Sequence, residues 1–203
     1  MVHKEKKFVF VHIPKTGGHS IERHFGAWND SGHKPHPTPL GASMLVGRNK
    51  EHFPLWKILK RAPEARSFFK FTFVRNPWDR MVSEWGYMQK HPVTGKARDA
   101  FWKYGKTFES FVKNDLIRFS RPGHMKPQYK FLDLRINFIG KFETLQEDWE
   151  LICDKIQEPK FKLPHTNKTD RKPYMEYYND ETRKIVKKQF AEDIKMFGYE
   201  FGK

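Results

Sequence analysis

A lysine, a threonine, two glycines and a serine fall together in Pro14-Lys15-Thr16-Gly17-Gly18-His19-Ser20, directly after the apolar run Phe8-Val9-Phe10-Val11. This order of residue types suits an anion. Gly17 and Gly18 remove side chains that would hold a ligand off the backbone, and the amides of Thr16 to Ser20 would open a helix, where N–H groups without intrahelical acceptors favour negative charge. Lys15 adds a full charge, and Thr16 and Ser20 add hydroxyl donors. The nucleotide-binding loop G-x-x-x-x-G-K-[ST] carries its lysine after the glycines, whereas Lys15 precedes Gly17 and Gly18, so an ATPase reading loses its main support.

A second cationic group stands in a comparable place. Phe68-Phe69-Lys70-Phe71-Thr72-Phe73-Val74 reads as a strand that ends abruptly in Arg75-Asn76-Pro77, and Pro77 opens a helix running to about residue 90. Ser83 lies about two turns into that helix, where its hydroxyl can face the same crevice as the Arg75 guanidinium. Two such sites at neighbouring strand ends would hold one ligand with two separated anionic groups.

The elements that must position these residues alternate. Residues 7–12 form the first strand, cut off at Pro14, and residues 20–28 the helix after it. Residues 29–49 are loop, with Pro35, Pro37 and Pro39 too closely spaced for a helix or a sheet interior. Helical spacing returns at 53–60, from residue 107, at 144–156 and at 180–197, and residues 136–142 suit a third strand. Strands alternating with helices argue an α/β fold with a mainly parallel central sheet flanked by helices, whose ligands sit at the carboxyl ends of the strands.

Composition bounds the rest. The 203 residues suit a single domain, 1–203, and 19 Phe, 7 Tyr and 6 Trp predict an aromatic core. Thirty-nine Lys plus Arg against 24 Asp plus Glu leave a formal charge of +15, which attracts polyanions. No uninterrupted basic block marks a nucleic-acid tail, so a nucleic-acid partner is not expected. Cys153, the one cysteine, excludes an intramolecular disulfide framework and reads as a buried, inert thiol on a helix face. With no signal peptide or membrane-spanning run, the chain is expected to be soluble and cytoplasmic. Nothing in the pattern sets an oligomeric state.

Pro14-Lys15-Thr16-Gly17-Gly18-His19-Ser20 resembles the 5′-phosphosulfate loop of sulfotransferases that use 3′-phosphoadenosine 5′-phosphosulfate (PAPS), and Phe73-Val74-Arg75-Asn76-Pro77-Trp78-Asp79-Arg80 through Ser83 resembles their 3′-phosphate motif. The likeness is to the carbohydrate branch, with heparan-sulfate and chondroitin sulfotransferases and bacterial relatives. It continues through Phe138-Ile139-Gly140-Lys141-Phe142-Glu143, His165-Thr166-Asn167-Lys168-Thr169 and Asp193-Ile194-Lys195-Met196-Phe197-Gly198-Tyr199. The late glycine-rich loop of the cytosolic small-molecule sulfotransferases is not found. The resemblance implies a three-layer, P-loop-like fold that binds PAPS and releases 3′-phosphoadenosine 5′-phosphate (PAP). Lys15 would bridge the sulfuryl group and the 5′-phosphate, with the amides of Thr16, Gly17, Gly18, His19 and Ser20 around that phosphate. Arg75 and Ser83 would hold the 3′-phosphate, and Asn167 with Lys168 would close over the cofactor.

The implied reaction moves a sulfuryl group in line to a hydroxyl acceptor, expected to be a glycan. Its loose transition state leaves the protein with positioning and charge neutralisation, for which Lys15 is the natural group and no metal is required. A histidine suits the acceptor base at neutral pH. His52 is ranked first, because its place resembles that of the catalytic histidine of glycan 2-O-sulfotransferases; His36 and then His33, in the proline-rich loop, follow. Glu22 is a further candidate, weighed against an ordinary exposed position on its helix. Trp56, Trp85 and Trp102 could be sugar platforms or core. A kinase using ATP and a non-enzymatic polyanion-binding module are the competing readings.

Overall fold

Aromatic and β-branched residues alternate along the strands, and the alternation decides what each sheet face does. In the structure, a computed structural model describing residues 1–25, 52–90, 105–114, 124–163 and 171–203, four strands form one sheet in the order β1-β2-β3-β4. β1 (Val2–His3) pairs antiparallel with β2 (Phe8–Val11); β2 with β3 (Phe69–Val74), and β3 with β4 (Phe138–Lys141), pair parallel. The fold is thus the α/β class with a mainly parallel sheet. The short β1 is an addition to the expected strands, two residues being too few to leave a periodic signal.

The contacts of the chain group into two compact units, Met1–Val74 with Lys130–Asn167, and Arg75–Tyr129 with Lys168–Lys203. The first holds the sheet. Register places Phe8 beside Phe69, Phe10 beside Phe71 and Phe71 beside Phe138, so one face is a continuous phenylalanine surface. Against it pack Ile21 of α1 (Gly18–His24), the adjoining Phe25, and Trp149, Ile152, Cys153 and Ile156 of the helix Leu145–Ile156. Gly140 serves this face by having no side chain: a Cβ there would lie 2.5 Å from the Phe73 ring. α2 (Leu55–Arg61) follows Pro54 and buries Leu55, Ile58 and Leu59.

The second unit is built on α3 (Pro77–Lys90), α4 (Phe108–Lys113), and two C-terminal helices, so that the Leu145–Ile156 helix of the first unit is α5. The proposed long helix over 180–197 is divided into α6 (Asp180–Gln189) and α7 (Ala191–Phe197). The divide is Phe190, at φ −113° and ψ 28°, which is buried in the unit's core with Trp78, Met81, Phe108, Phe111 and Val186. α6 begins with a reciprocal capping box between Asn179 and Thr182. Among the described residues, no helix is long and apolar enough to cross a membrane.

Candidate functional site

β2 delivers the lysine loop. His12 and Ile13 follow the end of β2 and are buried, Pro14 turns the chain out, and Thr16 Oγ1 donates to the Ile13 carbonyl at 2.8 Å, closing a tight turn. Lys15 holds φ 68°, a left-handed conformation that costs a side-chain-bearing residue roughly 1–3 kcal/mol and is typical of functional turns. Gly17 caps α1 at φ 84°, and a Cβ there would also meet Leu145 Cδ2 at 2.9 Å. Gly18 is required for a different reason: its Cβ would lie 2.4 to 2.9 Å from three atoms of the His12 ring. The loop backbone therefore rests directly on a buried imidazole.

That imidazole is the centre of a cluster. His12 is 1% exposed, and its Nδ1 lies 2.9 Å from Glu22 Oε2 on α1, itself 2% exposed. Its ring stacks on Phe10 and meets the edges of His19 and His52, with centroids 5.0 and 4.6 Å away. His52 Nδ1 donates to the His12 carbonyl at 3.1 Å, which sets this histidine beside the end of β2. The expectation of an exposed Glu22 is corrected: the first turns of α1 are covered, and the carboxylate is spent on His12. His12 itself escaped sequence reasoning. Its signal, a polar residue ending an apolar strand just before the proline, gains meaning only when Gly18 is seen to return over it.

In the second unit Arg75 is 5% exposed and held twice over. Its guanidinium grips Asp79 through Nε at 2.8 Å and Nη2 at 2.7 Å, while Arg171 takes the other Asp79 oxygen at 2.5 Å. Two guanidiniums share one carboxylate, which leaves this trio with one positive charge in excess. The Arg75 backbone is clamped by Gln128, whose Oε1 accepts from the Arg75 amide and whose Nε2 donates to its carbonyl, both at 2.9 Å. Gln128 is fixed in turn by Asp193, a buried carboxylate accepting the amides of Gln128 and Tyr129 at 2.8 and 2.9 Å. Burial raises the Asp193 pKa, against those two bonds and nearby Arg80. Arg80 is fully buried, donates to the carbonyls of His124 and Lys126, and has its pKa lowered to about 10 by desolvation. Asn76 caps α3 by accepting the Trp78 amide and donates to the Glu200 carbonyl at 3.0 Å. Ser83 is buried on α3.

The structure thus brings Lys15, Thr16, Gly17, Gly18, His19, Ser20 and His52 together in one unit, and Arg75 and Ser83 into the other. His33, His36, Trp102, Asn167 and Lys168 lie outside the described residues. Trp85 is half-buried and packs against the core, its indole N–H on the Gly105 carbonyl at 2.8 Å and its ring against Phe108 and Tyr177, whereas Trp56 is 54% exposed. Cys153 is buried, its thiol pushed up to about 11 chiefly by burial. Among the described residues there is no group of three or more His, Cys, Asp or Glu placed to hold a metal ion. Gln128 and Asp193 carry the Arg75 clamp; the sequence showed Asp193 only as part of the terminal stretch of family resemblance, and Gln128 left no signal.

Human carbohydrate sulfotransferase 9 is 23% identical over 232 aligned residues, covering 98% of this chain and 52% of the human protein, so the chain spans about half the length of that relative. An uncharacterized protein of Archaeoglobus fulgidus is 29% identical over 112 residues, 52% of this chain and 83% of its own length. No solved structure matches. The model of the sulfotransferase family matches residues 1–200, which take in the lysine loop, Arg75 with its clamp, and Asp193. The chain belongs to the sulfotransferase family.

Proposed function

We propose that the chain is an O-sulfotransferase that takes its sulfuryl group from PAPS and delivers it to a hydroxyl of a carbohydrate. The observation that carries this reading is the lysine loop, where a strained Lys15 and two glycines that admit no side chain bring backbone and charge to one place in a chain of this family. The donor fits the groups present. Lys15, with the amides of Thr16 to Ser20, is the site for the 5′-phosphosulfate, and Arg75, with the surplus charge of its trio and the buried Ser83, is the site for the 3′-phosphate. Asn167 and Lys168 complete the donor site. The human relative's name, carbohydrate sulfotransferase, and the +15 charge support a saccharide acceptor.

PAPS supplies the activated sulfuryl group; the chain supplies position and charge. His52 is the base, with His36 as the second candidate. As the acceptor oxygen forms the new S–O bond, its proton passes to the imidazole Nε2. The electron pair of the broken S–O bond stays on the departing phosphate, where Lys15 neutralises it. A metal is not needed for this scheme.

Transfer from sulfur-35-labelled PAPS to a panel of glycans, phenols, lipids and peptides tests the reading. Sulfation of a glycan by the native chain, abolished in a folded Lys15→Ala variant, is the expected outcome. Unchanged turnover in that variant would remove the loop assignment, and labelling of a non-carbohydrate alone would replace the acceptor.

A further inference from the structure

The buried Glu22–His12 pair serves no step in the scheme above, yet it touches both of its working parts. We infer that it is a positioning unit, which seats the lysine loop from below and fixes the tautomer of the His52 base. The inference rests on the donor and base assignments proposed above, although its central observable does not.

Three contacts carry it. The His12 ring lies where a Gly18 Cβ would be, within 2.4 Å at its nearest atom, so the height of the loop backbone is set by the position of that ring. The ring in turn is held by Glu22 Oε2 at 2.9 Å from Nδ1 and by stacking on Phe10. With both partners almost fully buried, this 2.9 Å contact between imidazole and carboxylate is shielded from water. The third contact is the His12 carbonyl, 3.1 Å from His52 Nδ1. A carbonyl only accepts, so Nδ1 of His52 carries the proton, and in the neutral ring the lone pair is at Nε2. Nε2 is then the atom that takes the acceptor's proton. One histidine thus sets the loop through its side chain and the base through its main chain, and Glu22 keeps both in register.

The tautomer is read directly. In nitrogen-15 NMR of the full chain at a pH where His52 is neutral, the native protein is expected to show a protonated Nδ1 and an unprotonated Nε2 for that residue. Glu22→Ala should lose this signature to a mixture of tautomers and weaken PAP binding, measured calorimetrically, by at least tenfold. A displacement of about 1 Å in a positioned group can cost on the order of a hundredfold. Glu22→Gln keeps an oxygen acceptor for His12 and should restore the signature, with PAP affinity within threefold of native.

A native His52 protonated at Nε2 would overturn the inference. So would a Glu22→Ala protein in which signature and affinity are both retained, or a Glu22→Gln protein no better than Glu22→Ala. Should Glu22→Ala fail to fold, the native tautomer and the Glu22→Gln protein decide alone. A native chain that shows the Nδ1–H tautomer without binding PAP would refute the donor assignment while leaving the tautomer lock in place, so the two failures are separable.

Discussion

Gly18→Ala is the sharpest perturbation of the loop, because steric contact alone sets its sign. Gly18 has no positive φ, and alanine at the start of a helix is ordinarily preferred to glycine by up to about 1 kcal/mol. Against this stand three approaches of 2.4, 2.5 and 2.9 Å between the new Cβ and the His12 ring, where carbon contacts settle at about 3.5 to 4.0 Å. Two reliefs are open. The ring can retreat and give up its 2.9 Å contact with Glu22, leaving a buried carboxylate without that partner at a cost of about 1–3 kcal/mol or more. Alternatively, the loop can lift by about 1 Å at the 1–3 kcal/mol typical of overpacking, which displaces Lys15 and the amides with it. By either route the variant should lose about 1–3 kcal/mol in urea unfolding, and by the second it also loses PAP affinity. The decisive assay is a double-mutant cycle with His12→Ala. Without the ring the same alanine should cost less than about 0.5 kcal/mol, or stabilise, giving a coupling energy above about 0.5 kcal/mol. Equal costs in both backgrounds would refute the claim that the loop rests on His12.

The second unit offers an independent test of anion recognition: Arg75→Ala should weaken binding of PAP far more than binding of its 3′-dephosphorylated analogue, and equal losses would contradict the 3′-phosphate assignment. Asp193→Ala leaves the Gln128 and Tyr129 amides without their acceptor and removes a carboxylate whose charge favours the buried Arg80. It should therefore cost about 3–5 kcal/mol in urea unfolding, as breaking a buried charge pair does, with Asp193→Asn losing less. His3 is buried against Phe8 and Phe25, and burial lowers its pKa from the ordinary 6.5. The unfolded chain then binds a proton before the folded one does, so this contribution to stability is complete above pH 6.5 and falls as pH drops toward the folded value. His3→Phe should flatten the stability curve in that window, measured by urea midpoints from pH 7.5 downward; an unchanged slope would assign the acid sensitivity elsewhere.

Much of the frame was legible because it rests on local signals. The runs around Phe10 and Phe71 have the composition of buried strands, Pro14 and Pro77 punctuate their ends, and the stripe Leu145, Trp149, Ile152 and Ile156 has helical spacing; each became the element it suggests. The split at Phe190 was not legible, since no glycine or proline marks it and the ring is apolar in either arrangement. The lysine loop could be read for the same reason as the strands: its residue types are adjacent. The supports under it could not. Glu22 looked like an exposed helix position because nothing nearby in sequence announces that His12 will face it across a strand-to-helix turn, and Gln128 reaches Arg75 across 53 positions.

Buried polar groups hold the backbone at both cationic residues. Lys15 is carried by a turn that rests on His12 and Glu22, and Arg75 by main-chain bonds to Gln128, which Asp193 fixes. Holding the main chain fixes where each charged side chain starts; the Arg75 guanidinium, gripped by Asp79, would share or exchange that carboxylate on binding an anion. The arrangement does not come from a demand for stability. A buried polar pair replaced by apolar groups of like volume is often neutral or stabilising, whereas removing one partner is costly. Glu22 with His12, and Asp193 with Gln128, therefore contribute definition of position more than net folding energy. That is the property the proposed scheme would require, since it would leave the protein little to do except place an oxygen, a base and a positive charge along one line.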